Sequence, residues 1–329
     1  MNKSVLIWVL IAFISCTSPS EQATTTSIVE SDPLSLWNDS EVKTAISDFV
    51  KNVSDQNSVD FVKVEDRIAV FDNDGTLWCE KPLYIPVEIE FAYIKSEYPK
   101  HPEWKDDKLF AGIVNNDLSV LADYDTGTLI AKLFGTHDGQ KEEDYKDFVY
   151  QTLSTVQHSK FNRPLKETTF SPMVQLVHYL QANDFKVYIV TGGEITSVRT
   201  VSEEIYNIPK ENVVGSSVVL EYVSNDTGKY LVRTGKIQSA NDQQIKPPNI
   251  ELHIGRKPIF AAGNSDGDYQ MMEYTLSGSG PSMAILVHHN DETREYSYMH
   301  GTEKAVEDAD QKGWYVVSMK DDFKEIFGN

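Results

Sequence analysis

A short apolar run, Ile68–Phe71, leads directly into two aspartates, Asp72 and Asp74, which are followed by Gly75 and Thr76. A run of this kind is typical of a parallel strand that is covered on both faces of a sheet. In such sheets the ligand binds at the carboxyl ends of the strands. The two carboxylates therefore mark a candidate functional site and indicate an α/β fold.

The same pattern recurs later in the chain. The runs "FKVYIVTGG", "KPIFAAGNSDGD", "SMAILVHH" and "GWYVVSMK" predict further strands, and apolar residues at helical spacing follow Ser40 and Ser171. Alternation of strands and helices predicts a doubly wound, mostly parallel α/β sheet. Polar clusters follow three of the strands, at 72–76, 191–193 and 264–268. We expect these clusters to meet at one edge of the sheet.

A long insertion, 79–165, separates the first strand from the helix that begins at Ser171. Its helix-like pieces are 85–97, 117–122, 126–134 and 142–156. Insertions of this length are usually functional, so we predict a helical cap on a catalytic core formed by 34–78 and 166–329. Within the core, a hairpin with its turn at Asn225–Gly228 is predicted.

The N-terminal residues 1–16 have the features of an export signal. The apolar run Val5–Ile14 is too short to span a bilayer of about 30 Å but suits a signal peptide. Phe13–Cys16 resembles a bacterial lipobox, which implies lipidation of Cys16; the alternative is an ordinary signal in which Cys16 is incidental. The polar segment 17–33 predicts a flexible tether. We therefore expect an exported protein that is anchored by a lipid on the periplasmic side of a membrane.

Charge and cysteine content exclude several classes of protein. The chain has 50 acidic against 30 basic residues, and no cluster of basic residues that nucleic acid would require, so we expect no nucleic-acid partner. No obligate protein partner is evident either. The only cysteine besides Cys16 is Cys79, so no disulfide framework is expected, and we interpret Cys79 as a small buried residue near the site.

Two chemistries could explain "DNDGT". A calcium-binding EF-hand loop needs glycine at position six and glutamate at position twelve, whereas counting from Asp72 gives glycine at four and Leu83 at twelve. Phosphoryl transfer fits better. One aspartate can attack phosphorus to form an aspartyl-phosphate, Mg²⁺ can neutralise the phosphate oxygens, and a nearby acid can protonate the leaving oxygen.

The order of motifs resembles a known family. "FDNDGTLW", "IVTGG", a later lysine and "GNSDGD" follow one another at the ends of alternate strands. The chain thus resembles the haloacid dehalogenase (HAD) superfamily of hydrolases, most closely the phosphoserine-phosphatase-like branch with a helical cap. The resemblance implies a HAD-like Rossmannoid core with an inserted cap and Mg²⁺ as cofactor. In that family an acid at the position of Asp74 accompanies phosphatases and phosphotransferases, whereas dehalogenases have none.

The resemblance also implies residue roles. Asp72 matches the nucleophile and a metal ligand, while Asp74 matches the general acid and base and offers its backbone carbonyl to the metal. Thr191 and the backbone N–H of Gly192 match the phosphate-binding motif.

The family lysine and the last acidic motif leave choices open. Lys246 precedes the last motif at a better distance than Lys236, so it is preferred as the phosphate-binding lysine. In the last motif, Asn264 stands where the family has an aspartate. Either Asn264 or Asp266 could bind the metal, and Asp266 is slightly favoured because Mg²⁺ prefers charged oxygens; Asp268 would then orient Lys246.

The expected function is that of a Mg²⁺-dependent phosphatase that hydrolyses a small phosphorylated metabolite. A phosphotransferase on the same fold and a non-catalytic, metal-retaining binding lipoprotein are the alternatives. His288 and His289 are expected to have structural or surface roles, since the family mechanism requires no histidine.

Overall fold

In the computed structural model, which describes residues 32–328, seven strands form one sheet. In chain order they are β1 (Ile68–Phe71), β2 (Lys186–Glu194), β3 (Val213–Asn225), β4 (Gly228–Ser239), β5 (Phe260–Gly263), β6 (Met283–His288) and β7 (Tyr315–Ser318). Across the sheet the order is β4-β3-β2-β1-β5-β6-β7, and all neighbours are parallel except β3 and β4. The predicted doubly wound, mostly parallel α/β sheet is confirmed.

Helices connect the strands. They are α1 (Glu41–Ser54), α2 (Ile85–Glu97), α3 (Lys108–Val114), α4 (Thr126–Gly135), α5 (Glu142–Thr155), α6 (Ser171–Ala182), α7 (Ile195–Arg199), α8 (Ser202–Tyr206), α9 (Lys246–Ile254), α10 (Tyr269–Leu276), α11 (Glu303–Lys312) and α12 (Met319–Asp322). α1 begins directly after Ser40, whose hydroxyl accepts the Lys43 N–H. A serine there satisfies one of the N–H groups that the first helical turn leaves open.

The sheet separates two apolar cores. On β1, Ala69 and Phe71 pack into one core, whereas Ile68 and Val70 pack into the other. Successive side chains of a strand point to opposite faces, so a strand buried on both sides must be apolar at every position. This explains why β1 has no polar residue before Asp72, and why the first polar side chains emerge only at its carboxyl end.

The insertion 79–165 contains α2 to α5. The prediction for α2 is confirmed residue for residue, and those for α4 and α5 agree within one residue at their ends. The piece predicted at 117–122 is a 3₁₀ helix, Leu118–Asp123, and α3 was not predicted. That this helical segment acts as a cap remains a prediction.

β3 and β4 form the predicted hairpin, with Asn225 paired to Gly228 across its turn. The first residues of β3 pair with β2, so the hairpin extends the edge of the main sheet. The far strand of the hairpin is linked to the insertion, because the backbone of Arg233 on β4 accepts the N–H of Gly139 and donates its own to Gln140.

The predicted signal peptide, Cys16 and nearly all of the tether lie outside the described residues. Between residues 32 and 328, no helix is both long and apolar enough to cross a membrane.

Candidate active site

Asp72 is the first residue after β1, and Lys246 begins α9. The ammonium nitrogen of Lys246 lies 2.7 Å from Oδ1 of Asp72, 2.5 Å from Oδ1 of Asp268 and 2.9 Å from the carbonyl oxygen of Val190. Lys246 is fully buried, which fits a cation whose three hydrogens all have acceptors. The structure thus brings together the nucleophile candidate, the preferred lysine and Asp268.

The charges of this group influence one another. Burial lowers the pKa of Lys246, but the carboxylates of Asp268 and Asp72 outweigh it, and the pKa is raised overall. Burial and then the neighbouring Asp268 raise the pKa of Asp72 well above its usual value, and Lys246 opposes only part of that rise. Lys246 therefore stays charged, and its charge favours the ionised form of Asp72, the candidate nucleophile.

Asp74 lies in a tight loop closed by Gly75 and Trp78. Gly75 has a φ of +77°, and its N–H donates to the carbonyl oxygen of Trp78 at 2.8 Å. The indole Nε1 of Trp78 donates to Oδ1 of Asp74 at 2.9 Å. Burial, and after it the carboxylate of Glu80, raise the pKa of Asp74 to about 7, although the Trp78 hydrogen bond opposes this. A carboxylic acid with this pKa can both give and take a proton near neutral pH.

Thr191 and Gly192 lie near the carboxyl end of β2, close to Asp74. The hydroxyl oxygen of Thr191 accepts the N–H of Gly193 at 2.9 Å, so the hydroxyl proton can point elsewhere. A β-carbon at position 193 would lie 3.2 Å from both Oδ2 of Asp74 and Oγ1 of Thr191. Glycine at position 193 therefore allows the end of β2 to approach Asp74. The neighbouring Gly192 is exposed.

The last motif places its two candidate metal ligands, Asn264 and Asp266, in different surroundings. Asp266 turns away from the other carboxylates, since its Oδ1 accepts the N–H of Ala305 at the start of α11. Asn264 instead lies buried against the loop that follows Asp72, which we call the nucleophile loop. Its Oδ1 accepts a hydrogen bond from the Thr76 hydroxyl at 3.2 Å. Its Nδ2 lies so near Gly75 that a β-carbon there would be only 2.0 Å away. The geometry favours Asn264 over Asp266 as the metal ligand, contrary to the preference for a charged oxygen.

The Asp268 side chain stabilises the backbone of the last motif through hydrogen bonds. Its Oδ2 accepts the backbone N–H groups of Asn264 and Ser265 at 3.0 and 3.1 Å, while Oδ1 faces Lys246. One carboxylate therefore joins the last motif to the lysine.

Other candidates lie apart from the reacting groups or support them. Lys236 is an exposed residue of β4. Cys79 is buried, and its thiol donates to Oε1 of Glu295 at 3.0 Å; burial and then Glu295 raise its pKa, so it remains a thiol. Sequence reasoning missed Trp78 and Glu80. Their position just after "DNDGT" was the only available signal.

A family model of haloacid dehalogenase-like hydrolases matches residues 69–273. The match spans more than half of the chain, from the second residue of β1 to beyond β5, and the chain belongs to this family of hydrolases. No curated protein sequence matches the chain.

Several solved structures match the chain at low sequence identity. A functionally unknown protein from Anaerococcus prevotii DSM 20548 is 14% identical with a TM-score of 0.53, and the match covers 84% of this chain and 91% of that one. A protein of unknown function from Bordetella pertussis Tohama I is 15% identical with a TM-score of 0.49, covering 76% and 97%. A phosphoserine phosphohydrolase-like protein from Francisella tularensis is 17% identical with a TM-score of 0.38, covering 76% and 94%.

Mg²⁺ is the cofactor that the family resemblance implies, and its ligands would come from the residues around Asp72. Among residues 32–328, no group of three or more His, Cys, Asp or Glu side chains is arranged to hold a metal ion. The candidate donors, however, include the carbonyl of Asp74 and the amide of Asn264 besides the carboxylate of Asp72, and all are oxygens of the kind that Mg²⁺ takes.

One further observation supports this fit. Nδ2 of Asn264 is a buried atom for which the described chain provides no hydrogen-bond partner. The oxygen and nitrogen of an amide can be exchanged by rotating the group. Rotation would let Nδ2 donate to the Thr76 hydroxyl and would present the amide oxygen at the unpartnered position. The donor set fits a Mg²⁺ ion.

Proposed function

We propose that this protein is a Mg²⁺-dependent phosphatase that hydrolyses a small phosphomonoester through an aspartyl-phosphate on Asp72. The observation that carries the proposal is the convergence of Asp72, Asp74 and charged Lys246 at the carboxyl end of β1, where Lys246 contacts both Asp72 and the carbonyl of Val190 on β2. An anionic phosphate can be held there by a cation, attacked by a carboxylate and supplied with a proton.

The reaction would proceed in two displacements. In the first, a carboxylate oxygen of Asp72 bonds to phosphorus while the bond to the leaving oxygen breaks, and Asp74 gives that oxygen its proton. In the second, Asp74 takes a proton from water, which attacks phosphorus and releases Asp72 with inorganic phosphate. Splitting one difficult substitution into two is the general advantage of a covalent intermediate.

The remaining residues hold the transferred group. The charge of Lys246 would attract its oxygens from beside Asp72, the Thr191 hydroxyl would contact them, and the exposed N–H of Gly192 would add a further donor. Asp72, the Asp74 carbonyl and Asn264 would hold Mg²⁺, which when bound neutralises charge on the phosphate oxygens. Preorganised charges of this kind stabilise the transition state because they need no rearrangement during the reaction.

The decisive experiment measures release of p-nitrophenol from p-nitrophenyl phosphate, with and without Mg²⁺. We expect turnover that requires the metal and is abolished by Asp72→Asn, because an amide of the same shape cannot attack phosphorus. Asp226→Asn, in the exposed hairpin turn, is the matched control and should retain full activity. Full activity of Asp72→Asn would exclude the aspartyl-phosphate mechanism.

A further inference from the structure

His289 lies directly after β6, with its imidazole against the loop that carries Asp74. Nε2 is 2.7 Å from the carbonyl oxygen of Gly75, and Nδ1 is 3.1 Å from Oε2 of Glu295. A peptide carbonyl only accepts hydrogen bonds, so Nε2 is the donor. Both side chains are at most 2% exposed, which means that solvent does not compete for these bonds.

The imidazole is fixed in orientation by its surroundings. The Tyr298 ring stacks on it, with centroids 4.6 Å apart and an interplanar angle of 24°. Glu295 is itself anchored, since Oε2 accepts the backbone N–H of Tyr296 at 2.6 Å and Oε1 accepts from the Cys79 thiol at 3.0 Å. The donor at Nε2 therefore points in one direction.

Gly75 is the residue for which such a donor matters most. Glycine has the widest choice of backbone conformations, and this one sits at a φ of +77° beside Asp74. Its N–H is held by the carbonyl of Trp78 and its carbonyl by His289. Because peptide units are planar, fixing both groups fixes the two peptide planes that follow Asp74.

We propose that His289, oriented by Glu295, is a positioning residue for the general-acid step: it holds the Gly75 carbonyl so that the Asp74 carboxyl faces the leaving oxygen. The catalytic consequence rests on the proposed phosphatase function, whereas the hydrogen bond itself does not. His289 transfers no proton in this mechanism. Its contribution is the placement of Asp74.

Two substitutions separate positioning from the presence of a polar side chain. In His289→Gln the amide nitrogen reaches about as far as Nε2 and can still donate to Gly75. In His289→Asn the shorter amide reaches only the place of Nδ1, near Glu295, and leaves the Gly75 carbonyl without its donor. His288→Asn, the same change one residue earlier on half-buried His288, is the control.

The readout is kcat on two esters, p-nitrophenyl phosphate and glycerol 2-phosphate. An alkyl leaving group needs protonation by Asp74 far more than nitrophenolate does. We expect His289→Asn to lower kcat on glycerol 2-phosphate by roughly 10- to 100-fold, the scale of loss from a small misplacement. The loss on the aryl ester should be much smaller, KM should be unchanged, and His289→Gln and His288→Asn should resemble the wild type.

An equal loss on both esters, or equal losses in the Asn and Gln variants, would overturn the proposal. Amide NMR signals of Asp74 and Gly75 provide a readout that does not need activity. They should shift in His289→Asn and stay in place in His289→Gln; unchanged signals in the Asn variant would also refute the positioning role. Should the wild-type protein hydrolyse neither ester, the phosphatase function fails, and the NMR comparison still decides whether His289 places this loop.

Discussion

The carboxyl group of Asp74 has two neighbours with opposite effects. The Trp78 indole donates to it and stabilises its ionised form, whereas burial and Glu80 favour the protonated form and raise the pKa to about 7. The balance gives a group that can hold a proton for the leaving oxygen and later accept one from water. Under the proposed mechanism, hydrolysis of esters with poor leaving groups would depend on this side chain more than hydrolysis of esters with good leaving groups.

Asp74→Asn should reduce kcat by about 10²- to 10⁴-fold, the usual contribution of general acid–base catalysis. The reduction should be larger for glycerol 2-phosphate than for p-nitrophenyl phosphate, since nitrophenolate leaves without a proton. Steady-state kinetics on both esters measures it. Equal reductions on the two esters would argue against the acid role of Asp74.

Asn264 and Asp266 allow a second comparison at the scale of single residues. If Asn264 is the ligand, Asn264→Ala should raise the Mg²⁺ concentration for half-maximal activity by at least about tenfold, since even indirect partners of a metal contribute 10- to 100-fold. Asp266→Asn should leave it unchanged, because its amide oxygen can still accept the Ala305 N–H. Titration of activity with Mg²⁺ tests both variants.

The opposite ranking would restore Asp266 as the ligand, as the sequence had suggested. That preference considered charge alone. The structure shows in addition that the Asp266 carboxylate already accepts a hydrogen bond from the backbone N–H of Ala305 at the start of α11.

At the scale of elements, Arg233 links three parts of the fold. It lies on β4, and its guanidinium donates to Glu142 at the start of α5 at 2.9 Å and to Glu194 at the end of β2 at 3.2 Å. The guanidinium carbon is also 3.7 Å from the centroid of the Tyr145 ring. All of these side chains are buried. The arginine thus fixes the helical insertion against the strand that carries Thr191.

Arg233→Met should lower the free energy of unfolding by about 3–5 kcal/mol, because it leaves two buried carboxylates without their cation. Urea denaturation followed by circular dichroism measures the change. Lys236→Met, at an exposed position of the same strand, is the control and should change stability by no more than about 0.5 kcal/mol. A similar, small effect of both substitutions would show that the ion pairs do not hold the insertion in place.

The elements most visible in the sequence were those whose pattern is local. Continuous apolar runs indicated the buried strands, and Asn225–Gly228 indicated the hairpin turn. α3 was missed because only seven residues form it, Lys108–Val114, too short a stretch for helical periodicity to show. Lys246 could be preferred over Lys236 from spacing, and Asp268 was expected to orient it, yet its contact with the carbonyl of Val190 required the structure.

The bond between His289 and Gly75 had no signal in the sequence, because it joins residues that are 214 positions apart. Two adjacent histidines at a strand end look alike in the sequence. Only the fold shows that one of them lies against the nucleophile loop with its donor aimed at a carbonyl. Contacts of this kind depend on how β1 and β6 are arranged in the sheet, which local patterns do not encode.

At the scale of the whole molecule, the net charge of −20 contrasts with the proposed anionic substrate. General electrostatic attraction cannot collect a phosphate ester on such a surface, since like charges repel. Binding must then come from local cations, of which Lys246 is the buried example. Under this proposal the substrate is small, because only its phosphate group would meet a favourable charge.

The placement of the protein in the cell is a proposal that the N-terminal residues carry. Phe13–Cys16 and the apolar run before it predict processing at Cys16 and a lipidated N-terminus on the periplasmic side of a membrane. A single acyl chain binds a bilayer only marginally, whereas two hold stably, and the resemblance to a lipobox implies at least two.

Cys16→Ser should therefore move the protein from the membrane fraction to the soluble fraction without changing its specific activity on p-nitrophenyl phosphate. Immunoblotting of fractionated cells measures the shift, with Cys79→Ser as the control that should stay with the membrane. A wild-type protein found soluble after export, with Cys16 unmodified or removed, would leave the export signal and exclude the anchor.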